Sequence, residues 1–172
     1  MSIYTEIADI SEQICEEVLI IDHSGELPEV AYHNSLYYLS EDIDGPGIEL
    51  GENDLLALRM AVIRQYIRII ERDITTSNRD RRIYRGLERA WINWRRCQAF
   101  AEKYHIDLSE ARDRILEKLR NFLMDEVDRI KSGKEYSLDI NAGQLACFLK
   151  DLGCNDPYSD AIFTFLKEHS PD

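Results

Sequence analysis

The chain of 172 residues is long enough for one domain with a hydrophobic core, and its 44% hydrophobic and 31% charged residues are typical of a folded globular protein. This composition excludes an intrinsically disordered chain, and no apolar run reaches the length of a membrane span. A formal net charge of −12 argues against a general nucleic-acid-binding protein, although an average charge can conceal a local basic surface.

The charges are segregated along the chain. Residues 1–53 contain thirteen acidic residues and neither lysine nor arginine, so this segment has a charge of −13. Residues 54–104 carry twelve basic and six acidic residues, which gives +6, and residues 105–172 carry nine basic and fourteen acidic residues, which gives −5. Such segregation bears on association with a partner, not on the fold itself.

Two helices and a loop are predicted in the acidic segment. Isoleucine and valine recur at three- or four-residue spacing from Ile3 to Ile21, which is the pattern of an amphipathic helix. A second helix is predicted to start at Pro28, a favoured first helical residue, and to continue to about Leu39. The following residues, 40–53, are predicted to form an acidic loop, because a Gly-Pro-Gly sequence interrupts them.

Residues 54–104 are predicted to form two long antiparallel helices at the centre of the fold. Over 54–74, apolar residues recur every three or four positions and cover about half of the helix circumference. Over 78–104, a second apolar face includes Trp91 and Trp94, which we expect to pack in the core. A polar turn is predicted to join the two helices.

Capping residues mark three further helices in residues 105–172. A serine, threonine, aspartate or asparagine before a helix accepts its first backbone N–H groups, and a glycine after it adopts a positive φ. We also expect two stabilising i,i+4 ion pairs in the first of these helices, Glu110–Arg114 and Asp125–Arg129. The predicted caps are Asp107 with Glu110, Gly133, Asn141 with Gln144, Gly153, and Asp156 before Pro157.

These elements together predict an all-α fold. No segment shows the period-two alternation of a strand, and no internal repeat is evident. We therefore expect a single-domain helical bundle of six or seven helices over residues 1–172, built around the central antiparallel hairpin of residues 54–74 and 78–104.

A basic face of the predicted helix 78–104 is the main candidate for a binding site. Its arginines fall within about a third of the circumference, and two apolar residues lie among them. Because like charges at this spacing repel, an anion would relieve them, and an arginine binds carboxylate or phosphate equally well. The anion can come from the chain's own acidic helices, from a protein partner or second subunit, or from a nucleic acid or nucleotide. The predicted binding residues are Arg81, Arg82, Arg85, Arg89, Ile92, Arg96 and Phe100.

The predicted helix 54–74 carries a row of three arginines and one further arginine on its apolar face. Arg64, Arg68 and Arg72 are spaced four residues apart and form a second basic row. Arg59 instead points into the apolar face, where a buried guanidinium requires an anionic or carbonyl partner. Arg59 is therefore either an ion-paired structural residue or a buried arginine that binds a ligand.

Metal-binding and catalytic patterns are incomplete. Residues 40–52 share two acidic positions with an EF-hand calcium loop but lack the glutamate of its last position. Glu102 and His105 form one E-x-x-H pair, whereas a di-iron bundle needs two. We expect no metal and no cofactor, and the lack of a complete nucleophile or acid–base set favours a non-catalytic protein.

The sequence thus favours a helical interaction protein, an adaptor or regulatory subunit, that binds a protein partner or a second copy of itself through the arginine-rich face. Self-association is the simplest case, because symmetric dimers are common. Two alternatives stay open: a regulator that binds nucleic acid or nucleotide phosphate through the same face, and an enzyme with a pocket around Arg59.

The expected location is the cytoplasm, with no membrane association. The N-terminal residues are acidic and lack the basic start of a secretory signal. The four cysteines contain no CxxC pair and fall on or beside predicted helices, as small apolar residues do. We therefore expect reduced thiols.

Overall fold

The computed structural model describes residues 51–76 and 86–170, and this part of the chain contains five helices and no strand. The all-α class is therefore confirmed for the described residues. The helices, numbered here in chain order, are α1 (Glu52–Thr76), α2 (Gly86–Lys103), α3 (Ser109–Lys131), α4 (Ala142–Asp151) and α5 (Pro157–His169).

Several predictions from the sequence lie outside the described residues. These are the helices at 3–21 and 28–39, the acidic loop with its comparison to a calcium site, the turn after residue 76, and Arg81, Arg82 and Arg85.

The chain divides into two units, residues 1–66 and 67–172, and the boundary falls inside α1. Of the first unit, residues 51–66 are described. Their apolar side chains form one buried stripe, while Leu56 is 47% exposed. The buried members of this stripe are Leu58, Ala61, Val62, Ile63 and Tyr66.

The second unit has its own apolar core. Within it α3 packs on α5, and α4 packs on both α5 and α2. Trp94, Ile115 and Phe148 are fully buried, which agrees with the amphipathic pattern of their helices. The other core residues include Ile70, Ile74, Leu87, Leu119, Leu123, Leu145, Ile162 and Leu166.

Most of the predicted caps are confirmed. The side chain of Asn141 accepts a hydrogen bond from the backbone N–H of Gln144 at 2.8 Å. The side chain of Gln144 in turn accepts one from the backbone N–H of Asn141 at 3.2 Å. Gly133 and Gly153 follow the ends of α3 and α4 with φ angles of 91° and 68°, which favour glycine. These local signals position α4 between two well-defined ends.

The predicted capping box of Asp107 and Glu110 does not form. The residue before α3 is Leu108, and it makes no side-chain cap. The Asp107 carboxylate instead accepts the hydroxyl of Ser109 at 2.6 Å and its backbone N–H at 3.0 Å. These two hydrogen bonds lower the pKa of Asp107.

The two ion pairs predicted within α3 are also wrong, because both arginines bind other carboxylates. Arg114 donates from Nε and Nη2 to the two oxygens of Glu71 in α1, at 2.5 and 3.0 Å. This bidentate contact raises the pKa of Arg114 and joins α1 to α3. Arg129 pairs with Glu126, one turn away, at 3.2 Å.

None of the described helices combines the length and the apolar character that crossing a lipid bilayer requires. The three described cysteines, Cys97, Cys147 and Cys154, are free thiols.

A buried carboxylate orders the connection between α3 and α4. Glu126 is fully buried and accepts the backbone N–H and the hydroxyl of Ser137, at 2.5 and 2.6 Å. Its partner Arg129 also donates to the carbonyl of Glu135 at 2.8 Å. Glu126 thus ties the connecting segment back onto α3.

Replacing this carboxylate is expected to destabilise the fold. Glu126→Ala leaves the backbone N–H of Ser137 without its acceptor, which should cost about 1–3 kcal/mol of unfolding free energy in urea titrations. Glu135→Ala, at an exposed side chain in the same segment, should change it by less than about 0.5 kcal/mol. Equal effects of the two substitutions would contradict the role of Glu126.

A second polar network joins α3 to the start of α5. The Asp156 carboxylate accepts the backbone N–H of Ser159 at 2.8 Å and its hydroxyl at 2.9 Å, and Arg120 of α3 also binds it. Arg120 additionally donates to the Ser159 hydroxyl at 2.7 Å. The backbone hydrogen bond from Ser159 is the main cause of the lowered pKa of Asp156, and the Arg120 charge adds to it.

The lowered pKa of Asp156 predicts a pH dependence. Its carboxylate stabilises the fold above the ordinary aspartate pKa of 3.8, and this contribution is lost as the pH falls through the lower pKa of the folded state. The difference in Tm between wild type and Asp156→Ala should therefore be largest near neutral pH and shrink in acid. Asp156→Asn, which keeps a capping oxygen, should lose less. A Tm difference that stays constant with pH would contradict this assignment.

Candidate interaction surface

The orientation of α2 is set by hydrogen bonds to the last residue of α4. The indole N–H of Trp91 donates to the Asp151 carboxylate at 2.8 Å. The indole N–H of Trp94 and the side-chain amide of Gln98 donate to the Asp151 carbonyl, at 3.2 and 3.1 Å. These contacts satisfy a helix-end carbonyl and fix the rotation of α2 about its own axis.

This rotation buries one side of α2. Trp94 and Cys97 have no exposed surface, and both lie on the side that carries the hydrogen bonds to α4. The remaining buried residues of the helix are Gly86, Leu87, Ala90, Phe100 and Ala101.

The opposite side of α2 is exposed and mainly basic, with the half-buried Glu88 in the same arc. Its apolar midline consists of Ile92, which is 40% exposed, and Ala99. Arg95 and Arg96 flank this midline, and Lys103 follows one turn beyond. These five exposed residues fall within about 100° of the circumference, at 100° per residue. We call them the α2 surface.

The positive charges of the α2 surface are not neutralised by ion pairs in the described part of the chain. Arg96 makes no ion pair there. The guanidinium carbon of Arg95 lies 5.6 Å from the centre of the Trp91 ring, and Lys103 Nζ lies 5.2 Å from that of Tyr104. Such cation–π contacts orient a side chain while leaving its full charge available to a partner.

Arg89 lies at the edge of this surface and has a carboxylate partner. Its Nε lies 3.9 Å from Asp73 of α1, and Arg72 lies 3.3 Å from the same carboxylate. The Asp73 side chain is fully buried, so a nearby positive charge is required to stabilise it. The anion near Arg72 and Arg89 is thus the Asp73 carboxylate, which belongs to the central segment of the same chain.

Phe100 is not part of the exposed surface, in contrast to its predicted position beside Ile92. It is only 4% exposed, and its ring centre lies 4.9 Å from that of Tyr104. Eight residues separate Phe100 from Ile92, which corresponds to about 80° around the helix. At that angle Phe100 lies on the buried side, whereas Arg95, which is not among the predicted binding residues, lies on the exposed side.

The other arginines singled out in the sequence occupy different environments. Arg59 is half-buried, and whether it is a structural or a ligand-binding arginine stays a prediction. Arg64 and Arg68 of α1 are both exposed.

The described residues contain no group of three side chains suited to hold a metal ion. Glu102 and His105 are both exposed at the end of α2, where His105 has a φ of 55°. They are placed as helix-end residues.

A shallow cavity of about 310 Å³ lies at the start of α4. The amide side chains in its wall already cap that helix, and the Asp139 carboxylate lies 3.4 Å from the backbone nitrogen of Leu87 in α2. We assign these groups a structural role. The lining residues are Tyr136, Leu138, Asp139, Ile140, Asn141, Gln144 and Ser170.

The chain belongs to the family DUF7826, described as a repeat of unknown function, which matches residues 9–154. No curated protein and no solved structure matches the chain.

Ile92 and Phe100, the two apolar residues that the sequence predicts for the basic side, should respond differently to a charge. Ile92→Asp should change the unfolding free energy by less than about 0.5 kcal/mol, since this side chain is partly exposed. Phe100→Asp should cost about 3 kcal/mol or more, because it removes a buried ring and buries a carboxylate. Urea titration of both variants checks this, and a stable Phe100→Asp with an unstable Ile92→Asp would contradict the orientation of α2.

Proposed function

We propose that this protein is a non-catalytic helical interaction module, acting as an adaptor or regulatory subunit, whose α2 surface binds another protein. The fold that presents this surface would be a single domain of six or seven helices around an antiparallel hairpin, and it would work in the cytoplasm. The sequence supports the non-catalytic part of the proposal, since its catalytic and metal patterns are incomplete.

One observation carries the proposal: an exposed isoleucine lies between two exposed arginines on a helix whose other side is buried. Ile92 is 40% exposed, and Arg95 and Arg96 flank it. Arginine is enriched at the centres of protein interfaces, where its planar guanidinium binds carboxylates and its stem packs on apolar groups. A short apolar midline with basic flanks therefore favours an acidic protein surface as the partner.

Binding to a defined partner tests the proposal. Tagged wild-type chain is used to recover a partner from an extract of the native host, and the affinity of the purified partner is then measured. Ile92→Asp should weaken that affinity by about tenfold or more. Tyr158→Asp should not, although Tyr158 on α5 is also a large exposed hydrophobic side chain, at 56%. Equal affinities of wild type and Ile92→Asp would contradict the proposal.

Nucleic acid is the second candidate for the same surface, and the half-buried Trp91 with Arg95 over its ring favours testing it. Arginine next to an aromatic ring is a common arrangement for contacting bases and phosphates. Fluorescence anisotropy with labelled DNA and RNA at low salt distinguishes the two candidates. Binding that falls steeply with salt and is absent in Arg95→Glu/Arg96→Glu would favour nucleic acid. We expect no binding.

A further inference from the structure

A second charged surface lies on α3, within the same unit as α2. Its residues are exposed and acidic, and they fall within about 120° of the helix circumference. The half-buried Met124 lies within the same arc and adds an apolar group. We call this set the acidic α3 surface: Glu110, Asp113, Glu117, Asp125 and Asp128.

Three of the four arginines of α3 do not neutralise this surface, because their guanidinium groups bind carboxylates elsewhere, and the fourth, Arg112, lies on the opposite side of the helix. Arg114 binds Glu71 of α1, Arg120 binds Asp156, and Arg129 binds the buried Glu126.

Lys131 of the same helix makes no ion pair among the described residues, its Nζ lies 5.5 Å from the centre of the Phe165 ring, and its charge offsets one of the five carboxylates. In the part of the chain that the structure describes, Asp113, Glu117, Asp125 and Asp128 make no ion pair. The acidic α3 surface thus keeps most of its negative charge.

The two surfaces are complementary in charge but do not bind each other within one molecule. No ion pair joins the α2 surface to the acidic α3 surface among the described residues. Like charges along each helix repel, so each surface is stabilised by contact with the opposite one. Such contact is available between two copies of the chain.

We propose that the α2 surface of one copy docks on the acidic α3 surface of a second copy, in a head-to-tail arrangement. This inference rests on the proposed function and names its partner. Ile92 would contact Met124, while Arg95 and Arg96 would bind carboxylates such as Asp113 and Glu117. The use of two different surfaces makes the contact heterologous, so that each copy keeps one surface free for the next.

The family description gives a further reason to consider contact between like units. The chain belongs to a family described as a repeat. Each unit of a repeat protein contacts its neighbours in the same chain. A basic face on α2 and an acidic face on α3 would permit such contact between two separate copies.

Sedimentation equilibrium of the purified full chain tests the proposal. Wild type should self-associate at low ionic strength, and the association should weaken as salt is added. Arg95→Glu/Arg96→Glu and Asp113→Lys/Glu117→Lys should each weaken it at least tenfold. An equimolar mixture of these two variants should associate again, because each retains the surface that the other lacks.

Two control variants separate a local effect from net charge. Lys150→Glu/Lys167→Glu makes the same charge change as the α2 variant, and Glu135→Lys/Glu168→Lys the same change as the α3 variant, all at exposed residues. Both controls should associate like wild type. Circular dichroism of each variant establishes that it is folded.

Three outcomes would overturn the proposal: wild type that is monomeric at every concentration and low salt, an α3 variant that associates like wild type, or controls that dissociate as much as the surface variants. The proposed function is tested separately. If wild type is monomeric while Ile92→Asp loses affinity for a partner from the host, self-association is wrong and the α2 surface binds a different protein.

Discussion

Three hydrogen bonds to Asp151 determine which side of α2 faces solvent. Two indole N–H groups and one amide converge on the last residue of α4, so a rotation of α2 would break these hydrogen bonds and leave the indole N–H of the buried Trp94 without an acceptor. With this orientation, Trp94 enters the core and Ile92 is exposed between Arg95 and Arg96. The basic surface on which the proposed function depends is therefore a consequence of how α2 and α4 are joined.

The charges of the α2 surface and of the acidic α3 surface depend on which carboxylates the arginines bind. Arginines that hold helices together, such as Arg114 with Glu71 and Arg120 with Asp156, are not available to neutralise the carboxylates beside them on α3. Conversely, Arg89 of α2 lies within reach of the buried Asp73, whereas Arg96 makes no ion pair in the described residues. Ion pairs between helices thus neutralise some charges of each sign. The remaining charges form two separate surfaces of opposite sign.

Local features were predictable from the sequence, and features that depend on distant partners were not. The reciprocal cap of Asn141 and Gln144 forms within four residues, so its pattern was sufficient to find it. Arg114 binds Glu71, which is 43 residues away, and not Glu110 in its own helix. The spacing of residues along the sequence does not predict such a distant partner. The helical angles placed Ile92 and Phe100 on one basic side, but only the hydrogen bonds to Asp151 show where burial begins. Arg95 was missed for the same reason.

Hydroxyl-radical footprinting of the wild-type chain, read by mass spectrometry, tests the orientation of α2 most directly. The experiment is made in dilute solution at high salt, where the proposed association is weakest, and each labelling rate is divided by that of the urea-unfolded chain. With the orientation described here, Trp94 and Phe100 are strongly protected, while Ile92 is labelled at close to its unfolded rate. A protected Ile92 together with a freely labelled Phe100 would contradict it.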